Sequence, residues 1–313
     1  MAKRLGVAIA VLVTWACATA AAAASFDCAK AASAMERTIC ADPALSALDE
    51  QLAARFSAAL AASLDPGDLR AEQRRWLARM RAIPGTAELT NDYQVRLDVL
   101  ARIIADTPPV SALRGVSEAK ARAACLPALA SQEPDETCAV DGFGPIGRAD
   151  GQDLVYALYS YRTASGVAMG MRALIFERAP GGTLNVLYAP EYDGGDFQAP
   201  KLIHTAAGLL LHVPGTDTGT ANLNVERLFV RRDGRWRDVD VTSWQEALAS
   251  RLPRGTQARI GVYPDYAAMT AQTPLWRGDR DCGSGGHAVI GLAWAGDRIA
   301  IARLEVRRGA AGC

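Results

Sequence analysis

Histidine is almost missing from this chain: among 313 residues there are three, His204, His212 and His287. A zinc centre takes three or four convergent ligands, so a histidine-built metal site has little material here. His204 and His212 stand eight apart across a glycine turn and could face one another on paired strands, yet no further ligands stand out beside them. Ordinary sheet histidines are the better reading, and no metal residue is assigned. An excess of charge is missing too, with 34 Lys+Arg against 34 Asp+Glu. Residues 25–106 carry 10 basic and 12 acidic groups, and residues 107–313 carry 22 of each. Nucleic-acid binding rests on many phosphate-neutralising cations, so nucleic acid is not an expected partner. The balance also removes long-range steering toward a basic protein target, which leaves local shape and local charge. Finally, no apolar stretch beyond the first two dozen residues approaches the roughly 20 residues that span a bilayer.

What stands at the start is a leader. Lys3-Arg4, an apolar run from Leu5 to Trp15 and Ala21-Ala22-Ala23-Ala24 before Ser25 are the three regions of a cleavable secretory signal, with the cut expected after Ala24. A lipid-modified Cys17 is the weaker alternative, because Thr14-Trp15-Ala16 fits poorly before it. An uncleaved anchor is weaker still, since the second half of the run is mostly alanine. Residues 1–24 are therefore expected to be a signal peptide, the product to be periplasmic or secreted, and no transmembrane anchor to remain after cleavage.

Removing Cys17 leaves an even set, Cys28, Cys40, Cys125, Cys138, Cys282 and Cys313. Six cysteines allow 15 pairings, but these fall into three sequence-local couples, and an oxidising compartment favours disulfides over scattered thiols. The expected bonds are Cys28–Cys40, Cys125–Cys138 and Cys282–Cys313, each contributing on the order of 3 kcal/mol by restricting the unfolded chain.

Residues 25–106 read as helices. Ser33 and Glu36 have capping-box spacing, so a helix should start at Ser33 and not at Cys28. One helix over residues 28–40 would hold its ends roughly 18 Å apart, beyond disulfide reach, whereas a lead-in folding back over a short helix lets the pair close. Asp42-Pro43 supplies an N-cap and first-turn proline, and Leu45, Leu48, Leu52, Phe56 and Leu60 follow at helical spacing. Asp65-Pro66 repeats the signal ahead of Leu69, Gln73, Trp76, Leu77 and Met80. Arg70, Arg74, Arg75, Arg79 and Arg81 are spread around the rest and read as a solvated face. A last helix over about residues 87–104 turns Leu89, Tyr93, Leu97, Leu100 and Ile104 inward. Such stripes need one another to be buried, and Trp76 and Tyr93 read as core aromatics.

Asp27, Cys28, Glu36, Ile39, Cys40, Leu45, Asp49, Gln73, Trp76, Tyr93 and Arg96, in that order and spacing, resemble the N-terminal domain of the LprI-type lysozyme-inhibitor family. The resemblance covers about residues 25–105. It implies a small helical domain of a bacterial envelope protein, with lysozyme or another envelope protein as partner and no cofactor. The family usually carries a further cysteine pair where this chain has Ile83 and Glu88, and an arginine where it has Met80, with Arg79 beside it. Both cysteines are absent together, as expected if they pair with each other, so Cys28–Cys40 is the bridge that remains.

Asp106-Thr107-Pro108-Pro109 ends the helices and opens a linker over residues 107–115. Beyond it, residues 116–313 read as a β-rich domain of unknown type. A short helical segment covers about 116–124, and residues 142–151 read as loop because of their glycines. Strands are expected at 154–161, 173–176, 184–188, 209–213 and 225–230, punctuated by glycine turns. A helix is expected over residues 242–251, with Ser243 and Glu246 at capping-box spacing, and a terminal hairpin over 287–306. Strands without intervening helices indicate an antiparallel sheet. The fold class is thus α+β: a disulfide-pinned helical bundle, then an antiparallel β-rich domain.

Catalytic signals are thin. Ser284 and His287 flank glycines, but nucleophilic catalysis needs an aligned base and a group orienting it, and proximity in sequence supplies neither. Asp150 with Asp153, and Asp193 with Asp196, sit in glycine turns as in calcium loops, yet calcium asks for six to eight oxygens and aspartate favours turns for backbone reasons. Glu191 beside Asp193 and Asp196 offers carboxylates for sugar hydrolysis without a readable separation. No catalytic residue is assigned. The expected function is protein binding, as an LprI-like lysozyme inhibitor. The alternative is an envelope interaction module for glycan, lipid or another envelope protein.

Overall fold

The computed structural model describes residues 24–83, 85–129, 135–193, 195–217, 224–258, 262–278 and 285–307. Residues 1–23 of the expected leader, the expected Cys282–Cys313 pair and Ser284 lie outside the described residues. Four helices come first: α1 (Ala34–Ala41), α2 (Pro43–Ala62), α3 (Pro66–Met80) and α4 (Thr86–Asp106). After them come α5 (Glu118–Ala123), α6 (Thr242–Arg251) and a series of antiparallel strands. The protein is α+β, with N-terminal helices carrying a disulfide and a β-rich remainder. None of the described helices is long and apolar enough to cross a membrane.

Two compact units divide the chain, and the division falls inside helices. One holds Met1–Phe56 with Arg79–Val99; the other holds Ser57–Ala78 with Leu100–Cys313. In the first, Asp27 caps a single 3-10 turn at Cys28–Lys30 by accepting from Ala29 N at 3.0 Å. The Ser33 hydroxyl then accepts from Glu36 N at 3.1 Å, while Glu36 Oε2 accepts from Ser33 N at 2.8 Å, completing the capping box. This reversal brings Cys28 and Cys40 into a disulfide with Cα atoms 5.8 Å apart. Asp42 Oδ1 accepts from Ala44 N at 2.8 Å and starts α2. Met35, Ile39, Leu45, Leu52, Leu89, Tyr93 and Leu97 are buried.

The second unit carries three main sheets. The first comprises β1 (Val116–Ser117), β2 (Glu136–Ala149), β3 (Gln152–Thr163), β4 (Ala168–Arg178) and β5 (Thr183–Tyr188), in the order β1-β5-β4-β3-β2, with β6 (Glu191–Asp193) also paired to β4. A small ribbon joins β7 (Gly195–Phe197) to a later strand. The second sheet uses β8 (Lys201–Thr205) and β9 (Gly208–Val213); β10 (Gly215–Asp217) is the ribbon partner of β7. With β11 (Arg227–Arg232) and β12 (Arg235–Asp238) the second sheet runs β12-β11-β9-β8. The third contains β13 (Thr256–Gln257), β14 (Tyr263–Asp265), β15 (Thr270–Arg277), β16 (Gly286–Ala295) and β17 (Arg298–Arg307), with β15, β16 and β17 adjacent.

Side-chain alternation shows how these sheets layer. On β11, Leu228 and Val230 join a core with Trp244, Leu248, Leu275 and Ile290, whereas Phe229 between them joins Leu154, Ile175 and Trp236. On β4, Ala173 and Ile175 enter that same second core, while Leu174 and Phe176 enter a third with Tyr159 and Leu126. Both strands are therefore covered on both faces, which is why they read as continuous apolar runs and not as alternation. Cys125 and Cys138, bonded with Cα atoms 6.2 Å apart, tie the segment after α5 to β2.

Residues 142–149 are strand, not loop. Gly142 lies opposite Leu158 and Gly144 opposite Tyr156 in the β2–β3 register. A Cβ on Gly144 would come within 3.1 Å of the Tyr156 ring, so these glycines clear space for large cross-strand neighbours. Pro145 is tolerated because β2 is an edge strand, and register shifts at 140/142 and 145/147 absorb the irregularity. The α6 start also differs from expectation: Asp240 Oδ1, not Ser243, accepts from Thr242 N and Ser243 N at 3.0 Å each.

Candidate functional site

The second unit contains a cleft of about 670 Å³ whose walls are α3 and the segment from β11 to α6. Asp65 caps α3 by accepting from Asp68 N at 3.3 Å. It also receives Arg227, whose Nε lies 3.0 and 2.8 Å from the two carboxylate oxygens and whose Nη2 lies 2.8 Å from Oδ2. One turn apart on α3, Arg70 reaches Asp238 at 2.7 Å and Arg74 reaches Asp240 at 3.1 Å. The spacing explains the match. Four helical residues advance about 6 Å, and two extended residues advance about 6.6 Å, so i,i+4 arginines meet i,i+2 aspartates along the cleft. Gly67 admits the approach, since a Cβ there would lie 3.0 Å from Asp238 Oδ1.

Two arginines read as solvated are thus ion-paired across the cleft. Arg74 Nε and Trp236 Nε1 are buried donors without a hydrogen-bond partner among the described residues, and both residues line the cleft. Burial weighs against the Arg227 charge, but the Asp65 and Asp68 carboxylates offset it and hold its pKa above the ordinary guanidinium value. Burial lifts Asp65 above the usual carboxylate range against the pull of Arg227. Burial, then the charge of Asp65, pushes Asp238 up to about 6, with Arg70 opposing.

A pH dependence follows from Asp238. Its folded pKa is raised, so its contribution is fully present below the unfolded value near 3.9 and is lost as pH rises through about 6. The Asp238 side chain is 14% exposed, so little solvent discount applies. Compared with Asp238→Asn, the wild type should lose up to about 3 kcal/mol of relative stability between pH 4 and pH 7. Urea melts of both proteins across that interval measure it, and a difference flat with pH would refute the assignment.

Glu226, which lines the cleft, belongs to a second polar cluster. His212 Nε2 is 2.7 Å from Glu226 Oε2, while Glu226 Oε1 accepts from Tyr266 OH at 2.8 Å and Gln245 Nε2 at 3.2 Å. His212 meets the Tyr266 ring edge-on, with centroids 5.1 Å apart. Burial, followed by the Glu226 charge, raises the Tyr266 pKa well above its ordinary value. Glu226 could have been noticed in the sequence as a carboxylate at the head of an apolar strand, beside an arginine.

The residues singled out from sequence fall into three groups. Ile39, Leu45, Asp49, Gln73, Trp76, Tyr93 and Arg96 are buried, while Asp27 and Glu36 are helix-capping acids and Cys28 and Cys40 form the disulfide. Asp150 and Asp153 do not converge as ligands: Asp150 pairs with Arg231 at 2.9 Å, and Asp153 with Arg148 at 2.8 Å. The side chains of Glu191 and Asp193 lie outside the described residues, and Asp196 is exposed. His204 and His212 do not face one another, because the β8–β9 register sets Lys201, three places from His204, opposite His212. That odd offset sends the two rings to opposite faces, His204 exposed and His212 buried. His287 is exposed on a different sheet.

No protein-family model matches this chain, and no curated protein matches it.

Proposed function

We propose that this is an exported protein-binding protein, cut after Ala24, that acts as an LprI-like lysozyme inhibitor. The observation that carries the reading is the placement of the motif. Asp49 and Tyr93 bond to each other at 2.8 Å in the interior, Cys28 is bonded to Cys40, and Ile39 and Leu45 are fully buried. These six motif residues make the frame of the first unit, so the target would be met by its exterior. Glycoside cleavage needs two carboxylates with access to substrate, and a bound helix end or loop stops it without any catalytic group in the inhibitor. Two disulfides accord with an oxidising compartment. Titration of the chain beginning at Ser25 against lysozyme turnover is the test. Turnover falling in proportion to added protein supports inhibition, and an unchanged rate at micromolar excess overturns it.

The cleft favours a second reading, an envelope interaction module. Its unpartnered Arg74 Nε and Trp236 Nε1 donors and its arginine–aspartate ladder suit a polar ligand that brings acceptors, such as an envelope glycan. Crosslinking in the envelope followed by co-purification separates the two. Recovery of lysozyme alone counts against the second reading.

A further inference from the structure

Asp49 is 8% exposed and accepts three hydrogen bonds. Tyr93 OH reaches Oδ1 at 2.8 Å, and the Ser25 hydroxyl and backbone nitrogen reach Oδ2 at 2.6 and 2.8 Å. Burial, then the charge of Asp49, drives the Tyr93 pKa far above its ordinary value, so the phenol keeps its proton and remains a donor. None of these three donors carries a full charge while the Ser25 nitrogen belongs to a peptide bond. A buried carboxylate is stable when paired with a cation and costly when it is not.

Ser25 becomes the first residue of the chain if the leader is cut after Ala24. Resting on that cleavage, we propose that leader removal builds a structural ion pair, in which the new α-ammonium of Ser25 closes on Asp49 and completes the helical unit. In the cleavage the peptide bond between Ala24 and Ser25 breaks and water is consumed. Ala24 leaves as a carboxylate, and the Ser25 nitrogen becomes an ammonium, with no redox partner required. The nitrogen already stands at hydrogen-bond distance from Oδ2, so the charge arrives without rearrangement. The bond, charge-assisted until then by its acceptor alone, gains a cationic donor and becomes an ion pair. Through Tyr93 the same carboxylate holds α4, so export and completion of the unit coincide.

The test compares the full mature chain starting at Ser25 with one that retains Ala24, both released by a site-specific protease and verified by mass. The Ser25 form should melt on the order of 5 °C higher. That gap should close when Asp49→Asn is placed in both. The α-amine of the Ser25 form should also be acylated at pH 7 about tenfold more slowly than in its Asp49→Asn variant, because a carboxylate partner favours the ammonium and leaves less free amine. Should Asp49→Asn fail to fold, α-N-acetylation of the Ser25 form replaces it and should lower the melting temperature as Ala24 does. Equal melting of the two starts, or equal acylation rates, overturns the ion pair. The N-terminal mass of the exported protein is read separately: a start other than Ser25 removes the cleavage reading, while the protease-released chains still decide the pair.

Discussion

Replacing Arg227 with methionine is expected to lower the folding free energy by about 3–5 kcal/mol, the range seen when one partner of a buried ion pair is removed. Asp65 would be left 13% exposed with no guanidinium, after holding Arg227 through Nε and Nη2. Two backbone carbonyls would lose a donor as well, since Arg227 Nη1 reaches Val225 O at 2.8 Å and Glu226 O at 3.3 Å. The methionine stem keeps most of the packing, so the loss isolates charge and hydrogen bonding. Adding Asp65→Asn should recover much of the stability, because asparagine still caps α3 but leaves no buried charge. Urea melts of the wild type, both single variants and the double variant form the cycle. Additive losses would show that Arg227 and Asp65 are not a coupled pair.

The elements that could be read from sequence are those where one local signal dominates. The capping box at Ser33 and the Asp-Pro starts of α2 and α3 are helix signals that need no tertiary information, and the helices begin at Ala34, Pro43 and Pro66. Apolar runs such as residues 209–213 indicated strands, although not that both faces would be covered. Residues 142–149 misled because glycine marks a turn and also makes room for a large neighbour, and only the register against Tyr156 and Leu158 separates the two. The cleft was hidden for a different reason. Its ion pairs join residues more than 160 positions apart, such as Arg70 with Asp238 and Arg227 with Asp65. Nothing local marks an exposed-looking arginine as one that will meet a carboxylate.

The family motif and the cleft also divide the work differently from what sequence order suggests. Gln73 and Trp76 belong to the resemblance and are buried, while Arg70 and Arg74 on the same helix pair with Asp238 and Asp240 of the same unit. Contacts of the proposed inhibitor are better sought on residues outside both sets.

Removing the Glu226 carboxylate should have the second large effect, with Glu226→Ala costing about 4 kcal/mol. Glu226 is 4% exposed and is the common acceptor of Tyr266, Gln245 and His212, so truncation strands buried donors at about 1–3 kcal/mol for each group left unsatisfied. Glu226→Gln should cost less, because His212 offers an escape. Its Nδ1 is buried without a hydrogen-bond partner among the described residues, so the proton can move there and leave Nε2 to accept from the glutamine amide. Tyr266→Phe calibrates the scale at about 2 kcal/mol, the net worth of one hydrogen bond to a charged group. The discriminating measurement is the imidazole nitrogen NMR spectrum of His212, whose tautomer should switch in Glu226→Gln while the fold is retained. If Glu226→Ala and Tyr266→Phe were equally mild, the carboxylate would not be the hub of the cluster. If the tautomer stayed put while Glu226→Gln lost as much as Glu226→Ala, the escape through Nδ1 would be ruled out.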